Sequence, residues 1–324
     1  MQHKKTGSER LNIILISVHG LIRTNDLELG RDADTGGQIK YVVELARALA
    51  EREDVERVDL LTRRVVDADV SKDYAQVYEA ISDKTQIVRL DAGPEAYLPK
   101  EELWDYLDTF ADNALAYIRE LGRTPNVIHS HYADAGYVGV RLANLLGIPL
   151  IHTGHSLGRV KRRRLLASGL KRDQIETRYN MARRIEAEED TLATAELVIA
   201  STQNEIEEQY GIYDHYQPEL MRVIAPGTDL ERFHAPTGTE TTQPIAQELY
   251  RFLNEPDKPM ILALSRPDER KNIATLLEAY GESKELQARA NLIIVAGNRY
   301  DIREMESGAR NVLSDILLSI DQYD

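Results

Sequence analysis

Leu11-Asn12-Ile13-Ile14-Leu15-Ile16-Ser17-Val18 is an apolar run of strand length, of the kind buried on both faces of a parallel sheet. Further on, Ile39, Val42, Val43, Leu45, Ala46, Leu49 and Ala50 recur at helical spacing. The alternation continues, predicting strands over 12–18, 57–62, 86–90, 126–130, 148–152, 196–200 and 221–224. The helices it predicts in this stretch are 37–52, 101–121, 134–146, 173–194 and 203–210. Such a pattern gives an α/β fold, a doubly wound and mostly parallel sheet with helices on both faces.

From Pro236 to Thr242 the chain is polar and aperiodic, the best linker candidate in it. Residues 1–235 and 236–324 are therefore expected to be two domains. After the linker the alternation restarts with helix 243–254, strand 260–264, helix 271–280, strand 291–296 and a helix from about 301. Two strands with their helices make half of a doubly wound domain. This second unit is thus expected to be incomplete and to leave apolar faces uncovered.

Between the first strand and the first helix lie His19-Gly20-Leu21 and Gly30-Arg31-Asp32-Ala33-Asp34-Thr35-Gly36-Gly37-Gln38. A strand, a glycine-bearing loop and a helix N-terminus let bare backbone N–H groups face an anion. Thr35 is a plausible N-cap, and Gly36-Gly37 leaves no Cβ to hold a ligand off. A phosphorylated or nucleotide-bearing ligand is expected here; a glycine loop without a ligand is the competing reading. A nicotinamide dinucleotide fits poorly. There is no G-x-G-x-x-G, the loop is long, and after the second strand, where an acid would hold a ribose, the chain reads Thr62-Arg63-Arg64.

Composition narrows the classes. Among 324 residues, 40 Lys and Arg face 54 Asp and Glu, for a net charge of −14. That balance argues against a nucleic-acid or membrane-surface binder, so an anionic substrate needs a local basic pocket. The absence of cysteine removes disulfides, thiol catalysis and thiolate metal sites. The stretch Met1 to Gly7 leads into an apolar run too short for a secretion signal, and no run approaches membrane-spanning length. A cytoplasmic, soluble protein is expected.

Four loops fall at strand ends, where open parallel sheets bind ligands. They are Gly36-Gly37-Gln38, the stretch Ser130 to Gly136, the stretch Gly154 to Lys161, and Ser265 to Asn272. Arg159 to Arg172 holds seven basic residues and no acid. Most of that island reads as a solvated helix face; Lys161, beside His155-Ser156, is the exception. Arg183 and Arg184 point about 100° apart on a helix. Arg184, with Glu188 at i+4, is expected to form a surface ion pair, leaving Arg183 free to reach a phosphate. His155, at a strand end after Gly154, is a site candidate. His129 and His131 flank Ser130 and are read as pointing to opposite faces of their strand. No metal-binding histidine spacing and no G-x-S-x-G elbow occurs, so neither a protein-bound metal nor a serine hydrolase is expected. Arg266 and Lys271, at a strand end and a helix start, could reach a diphosphate; surface charge at a turn is the competing reading.

Taken jointly, His19-Gly20-Leu21, Asp34-Thr35-Gly36-Gly37-Gln38, Gly154-His155-Ser156-Leu157-Gly158 with Lys161, Arg183-Arg184-Ile185-Glu186-Ala187-Glu188-Glu189, Ala225-Pro226-Gly227 and Arg266-Pro267-Asp268 with Lys271-Asn272 make the chain resemble the sucrose-phosphate synthases. These are retaining family-four glycosyltransferases of GT-B architecture, two facing Rossmann-like domains. The resemblance implies glucosyl transfer from UDP-glucose to fructose 6-phosphate. It implies that Gly36, Gly37 and Gln38 touch the acceptor, with Gly37 also near the donor. Lys100, Tyr132, Ser156, Lys161 and Arg183 would hold fructose 6-phosphate. Arg266 and Lys271 would bind the donor diphosphate, and His155 would face the glucosyl group, helping through its position and its backbone carbonyl. No cofactor, metal, nucleic acid or membrane is implied, only the small-molecule substrates. The family's second domain continues with a Glu-x₇-Glu motif and a closing helix, neither of which the resemblance places in this chain. A further segment or a second chain would complete the donor half, and weak or absent turnover is expected of this chain by itself. A mannosylfructose-phosphate synthase using GDP-mannose, a non-catalytic sugar-phosphate-binding module and a nicotinamide oxidoreductase are the alternatives.

Overall fold

The computed structural model describes residues 10–296, 301–305 and 307–323. The stretch Met1 to Gly7, read above for a leader, lies outside them. Contacts divide the chain between Gly227 and Thr228, ahead of the 235/236 position suggested by the polar linker.

The first unit runs β1 (Leu11–Ile16), α1 (Gly37–Ala50), β2 (Val55–Arg63), β3 (Tyr78–Ser82), β4 (Thr85–Leu90), α2 (Leu107–Glu120), β5 (Val127–His131), α3 (Ala133–Leu146) and β6 (Leu150–Thr153). It continues with α4 (Gly158–Ala167), α5 (Arg172–Tyr179), α6 (Met181–Thr194), β7 (Leu197–Ala200) and β8 (Met221–Val223). The strands form one sheet of order β3-β4-β2-β1-β5-β6-β7-β8, parallel except for the β3–β4 pair. Strand β1 shows why: Ile13 and Leu15 pack with Ile39, Val42 and Ala46 of α1, while Ile14 and Ile16 join Phe110 of α2 and Leu142 of α3. Both faces of the strand are covered, which its unbroken apolar run requires. The strand order reverses at β1 and β5, so their C-terminal ends bound the crevice where doubly wound sheets take ligands.

Several elements differ from the pattern-based expectation; the expected helix 203–210, for one, is a π turn over Glu205–Gln209 followed by a 3-10 turn over Tyr210–Ile212. Strand β3 is a short antiparallel edge whose side chains are exposed or half-buried, so it lacks an apolar run. The expected helix 173–194 is two, α5 and α6, broken at Asn180, which adopts the left-handed conformation (φ 46°) and donates to the Glu101 carbonyl at 2.7 Å. Helix α4 occupies the basic stretch, a helix face in the sequence reading but one without bounds, because it lacks an apolar period.

In the second unit, α7 (Pro244–Tyr250) precedes β9 (Met260–Ser265), α8 (Ile273–Glu282), α9 (Lys284–Arg289), β10 (Asn291–Ala296) and α10 (Ser307–Tyr323). The two strands are parallel, and Ile273, Leu277 and Ile316 pack together beside them. Met260, Leu262 and Leu264 of β9 remain 45%, 59% and 72% exposed, the uncovered face expected of a half-sheet. Among the described residues no helix is long and apolar enough to cross a membrane.

Arg63 and Arg89 settle the second-strand question. Arg63 is buried and donates to the carbonyls of Ala92, Pro94 and Ala96. Arg89 is fully buried, donating to the carbonyls of Ile22 (2.8 Å) and Gln76 (3.1 Å) and pairing with Glu79. Both hold loops rather than face a ribose. Arg89→Met should cost about 3 kcal/mol, because it strands a carboxylate and two carbonyls; urea denaturation of the first-unit transition measures it.

Candidate functional site

The loop after β1 is shaped by Asp32, whose carboxylate accepts from the N–H groups of Asp34 (2.8 Å) and Thr35 (2.7 Å) and from the Thr35 hydroxyl (3.2 Å). Thr35 is thereby used inside the loop. The N-cap of α1 is Gly36, with no side-chain capping hydrogen bond, which corrects the assignment of Thr35. No side chain caps the leading amides of α1, of which that of Ile39 donates to the Gly36 carbonyl at 3.1 Å, and a Cβ on Gly36 or Gly37 would meet nothing within 4 Å. Gln38 donates to Ser17 Oγ (3.1 Å) and to the His131 carbonyl (3.4 Å), tying the helix to the ends of β1 and β5. Gly20 needs its missing side chain: its φ is 80°, and a Cβ would lie 2.7 Å from the Asp34 carbonyl oxygen.

Cationic groups gather around this loop. Lys100 donates from its backbone to Asp34 Oδ2 (2.8 Å), and its ammonium pairs with Asp34 and, at 3.4 Å, with Glu101. Glu101 also faces the Lys161 ammonium at 3.7 Å, which stands 3.9 Å over the Tyr179 ring. Burial, then the neighbouring Arg184, lowers the pKa of Lys161 to about 8. Burial works to raise the Asp34 pKa, but the Lys100 hydrogen bond and charge overcome it and hold it below the usual carboxylate range. Arg184 lies 4.6 Å over the Tyr132 ring and donates to the Ser156 carbonyl at 2.7 Å. Lys100 and Lys161 thus share Glu101, while Tyr132 and Ser156 share Arg184, which also lies near Lys161.

Both neighbouring arginines differ from the expectation. Arg184 and Glu188 do pair at i+4 (2.9 Å), but their side chains are only 3% and 4% exposed, not on the surface. Arg183 is instead half exposed, bonded to Asp105 (2.6 Å) and the Trp104 carbonyl (2.8 Å). The Arg184, Glu188 and Thr191 ridge is the packed face of α6, and charge alone hid that from a sequence reading. Both Glu188 oxygens accept from the Gly158 N–H (3.0 and 2.9 Å), capping α4, and the Tyr213 hydroxyl donates to it as well. Burial raises the Glu188 pKa against the pull of Arg184.

The histidines need a second correction. Residues two apart on a strand share a face, and the rings of His129 and His131 lie 4.1 Å apart. His131 Nδ1 meets His155 Nε2 at 3.1 Å, and Tyr41 sets its ring edge-on to both. Burial holds His129 and His155 near pKa 3, His152 near 4 and His131 well down, so all four are neutral at physiological pH. His19, missed as a site residue, bonds Asp134 at 2.7 Å and sits edge-on to Tyr132. Tyr132 (φ 77°) and His155 (φ 57°) both occupy backbone conformations disfavoured for side chains, a cost of order 1–3 kcal/mol each that surrounding structure must hold. No group of three or more His, Cys, Asp or Glu able to hold a metal is found among the described residues.

In the second unit, Arg266 and Lys271 are exposed on the turn between β9 and α8. Asp268 caps that turn, accepting from the Arg270 N–H at 3.0 Å, and its pKa falls to about 2, chiefly through its hydrogen bond with the Arg270 side chain.

A doubly wound parallel sheet with an uncapped helix start and a cationic cluster at its switch point, followed by a second α/β unit, is the arrangement of a GT-B domain. A profile described as the sucrose synthase first GT-B domain matches residues 8–235, and the chain belongs to that family. It is 43% identical to the probable sucrose-phosphate synthase 1 of Oryza sativa subsp. indica, over 98% of this chain and 35% of that protein. It is 42% identical to sucrose-phosphate synthase 4 of Arabidopsis thaliana, over 98% of this chain and 36% of that one. The chain thus spans about a third of the length of these curated relatives. The solved sucrose-phosphate synthase of Thermosynechococcus elongatus superposes with a TM-score of 0.69 at 28% identity, covering 97% of this chain and 68% of that one.

Gly158 tests the anchoring of α4. A Cβ there would lie 2.7 Å from Glu188 Oε2 and 2.9 Å from Ile185 Cγ1. Gly158→Ala should destabilise the first unit by about 1–3 kcal/mol, through forced displacement of a buried carboxylate. Thermal unfolding of the variant against the parent measures it.

Proposed function

We propose that the first unit binds fructose 6-phosphate and that the full-length protein transfers a glucosyl group to it from UDP-glucose, with retention, releasing UDP. One observation carries this reading: Lys100, Lys161 and Arg184 converge with Tyr132 and Ser156 beside the open start of α1. A cationic focus in a chain of net charge −14 suits a phosphoryl group, and the identity of both sugars rests on the family relationship. In this reading Lys161, Lys100 and Arg184 neutralise the acceptor phosphate, Arg183 stands at the rim, and Gly36, Gly37 and Gln38 contact the sugars. His155 faces the transferred group as a neutral ring. Arg266 and Lys271 hold the donor diphosphate and offset the charge growing on the leaving UDP. The reading includes no cofactor and no protein-bound metal, takes small molecules as the only substrates, and places the protein in the cytoplasm. The rest of the donor contacts come from a further segment or a second chain.

Calorimetric titration with fructose 6-phosphate and with fructose tests the acceptor assignment. The phosphorylated sugar should bind at least tenfold tighter, and Lys161→Ala should erase most of that difference, the loss of one charge-assisted contact being about 1.5–3 kcal/mol. Equal affinities for the two sugars would overturn it. Competition between UDP-glucose and GDP-mannose decides the donor.

The pH dependence has a definite sign. Lys161 is cationic below its pKa of about 8 and loses its charge above it. A bound phosphate raises that pKa, so above pH 8 binding must take up a proton. Fructose 6-phosphate affinity should then fall up to about tenfold per pH unit, while fructose affinity stays flat. Titrations at pH 7, 8 and 9 read it out.

A further inference from the structure

The contact between His131 and His155 leaves a proton to be placed. Both rings are neutral, so across their 3.1 Å contact one nitrogen donates and the other accepts. The environment of His131 decides which. Its Nε2 is buried and has no hydrogen-bond partner among the described residues. If that atom carried the proton, a donor would be buried unsatisfied; if it is bare, only a lone pair goes unused. Orphaned buried N–H groups are the rarer and costlier of the two. The proton of His131 therefore belongs on Nδ1, aimed at His155.

We infer that His131 is a positioning residue, which through this bond fixes His155 as the tautomer protonated on Nδ1 and so turns His155 into a hydrogen-bond donor toward its ligand. No protein group among the described residues bonds His155 Nδ1, so that N–H is left for an oxygen of the bound sugar. Packing holds the two rings in place. His129 lies against one face of His131 and is itself tied to Thr153 Oγ1 at 2.9 Å, and Tyr41 sets its ring edge-on to His131 and His155. The left-handed backbone at His155 (φ 57°) brings its ring to this contact. The role of the N–H toward a sugar rests on the proposed function, but the tautomer does not.

Long-range ¹H–¹⁵N correlation spectra of the histidine-labelled chain, without ligand at neutral pH, read each ring nitrogen as protonated or bare. The expected result is Nδ1–H at both His131 and His155. His131→Asn, which can keep an amide donor near the same place, should preserve the His155 tautomer; His131→Phe should shift it toward Nε2–H. A wild-type His155 protonated on Nε2, or a His155 indifferent to His131→Phe, would overturn the inference. Should the Phe variant fail to fold, the wild-type and Asn spectra still decide it. Fructose 6-phosphate titrations on the same samples fail separately if the sugar assignment is wrong.

Discussion

The buried carboxylate of Glu188 is the constraint on which the cationic cluster of the first unit depends. It meets the Arg184 guanidinium, the Gly158 amide and the Tyr213 hydroxyl, while Tyr213 in turn accepts from the Arg159 amide at 3.0 Å. Two charges at this depth carry a desolvation penalty that their attraction alone does not return, and the extra hydrogen bonds make up the balance. What the arrangement secures is position. It fixes the start of α4, and with it Lys161 one turn on, and it holds Arg184 between the Tyr132 ring and the Ser156 carbonyl.

From that anchor the site divides by charge. Lys100, Lys161 and Arg184 form a cationic end, tempered by Asp34 and Glu101, which keep the ammonium groups ordered in the absence of an anion. His129, His131, His152 and His155 form an end that is polar yet uncharged, because burial denies each ring its proton. A sugar phosphate has the same division. Its phosphoryl group calls for fixed positive charge, and its hydroxyls call for neutral donors and acceptors whose directions are set in advance.

Much of this was legible in the chain. The double apolar face of β1, the helix period of α1 and the strand-end positions of Tyr132, Ser156 and Lys161 follow from local pattern, whereas Lys100, at the start of a 3-10 turn, is named by the family resemblance alone. Two kinds of feature were not legible. Adjacent arginines on one helix differ only in azimuth, and the buried one is known by what packs on it; the i+4 acid that suggested a surface pair was the buried pair itself. Likewise β3 and α4 have weak periodicity because an edge strand and a half-exposed basic helix are held by neighbours rather than by their own apolar stripe. The single expected helix at 173–194 hid its break because asparagine tolerates both helical and left-handed backbone.

Every residue of the cationic cluster, and every group that supports it, lies in the first unit, which has its own core. The position of these cations is therefore set by local contacts of Glu188, Glu101 and Asp34. Arg266 and Lys271 stand on the second unit, on a turn shaped by Asp268. The two sets of cations are thus held by different contacts: the first by how α4 and α6 lock together, the second by what surrounds the β9 turn.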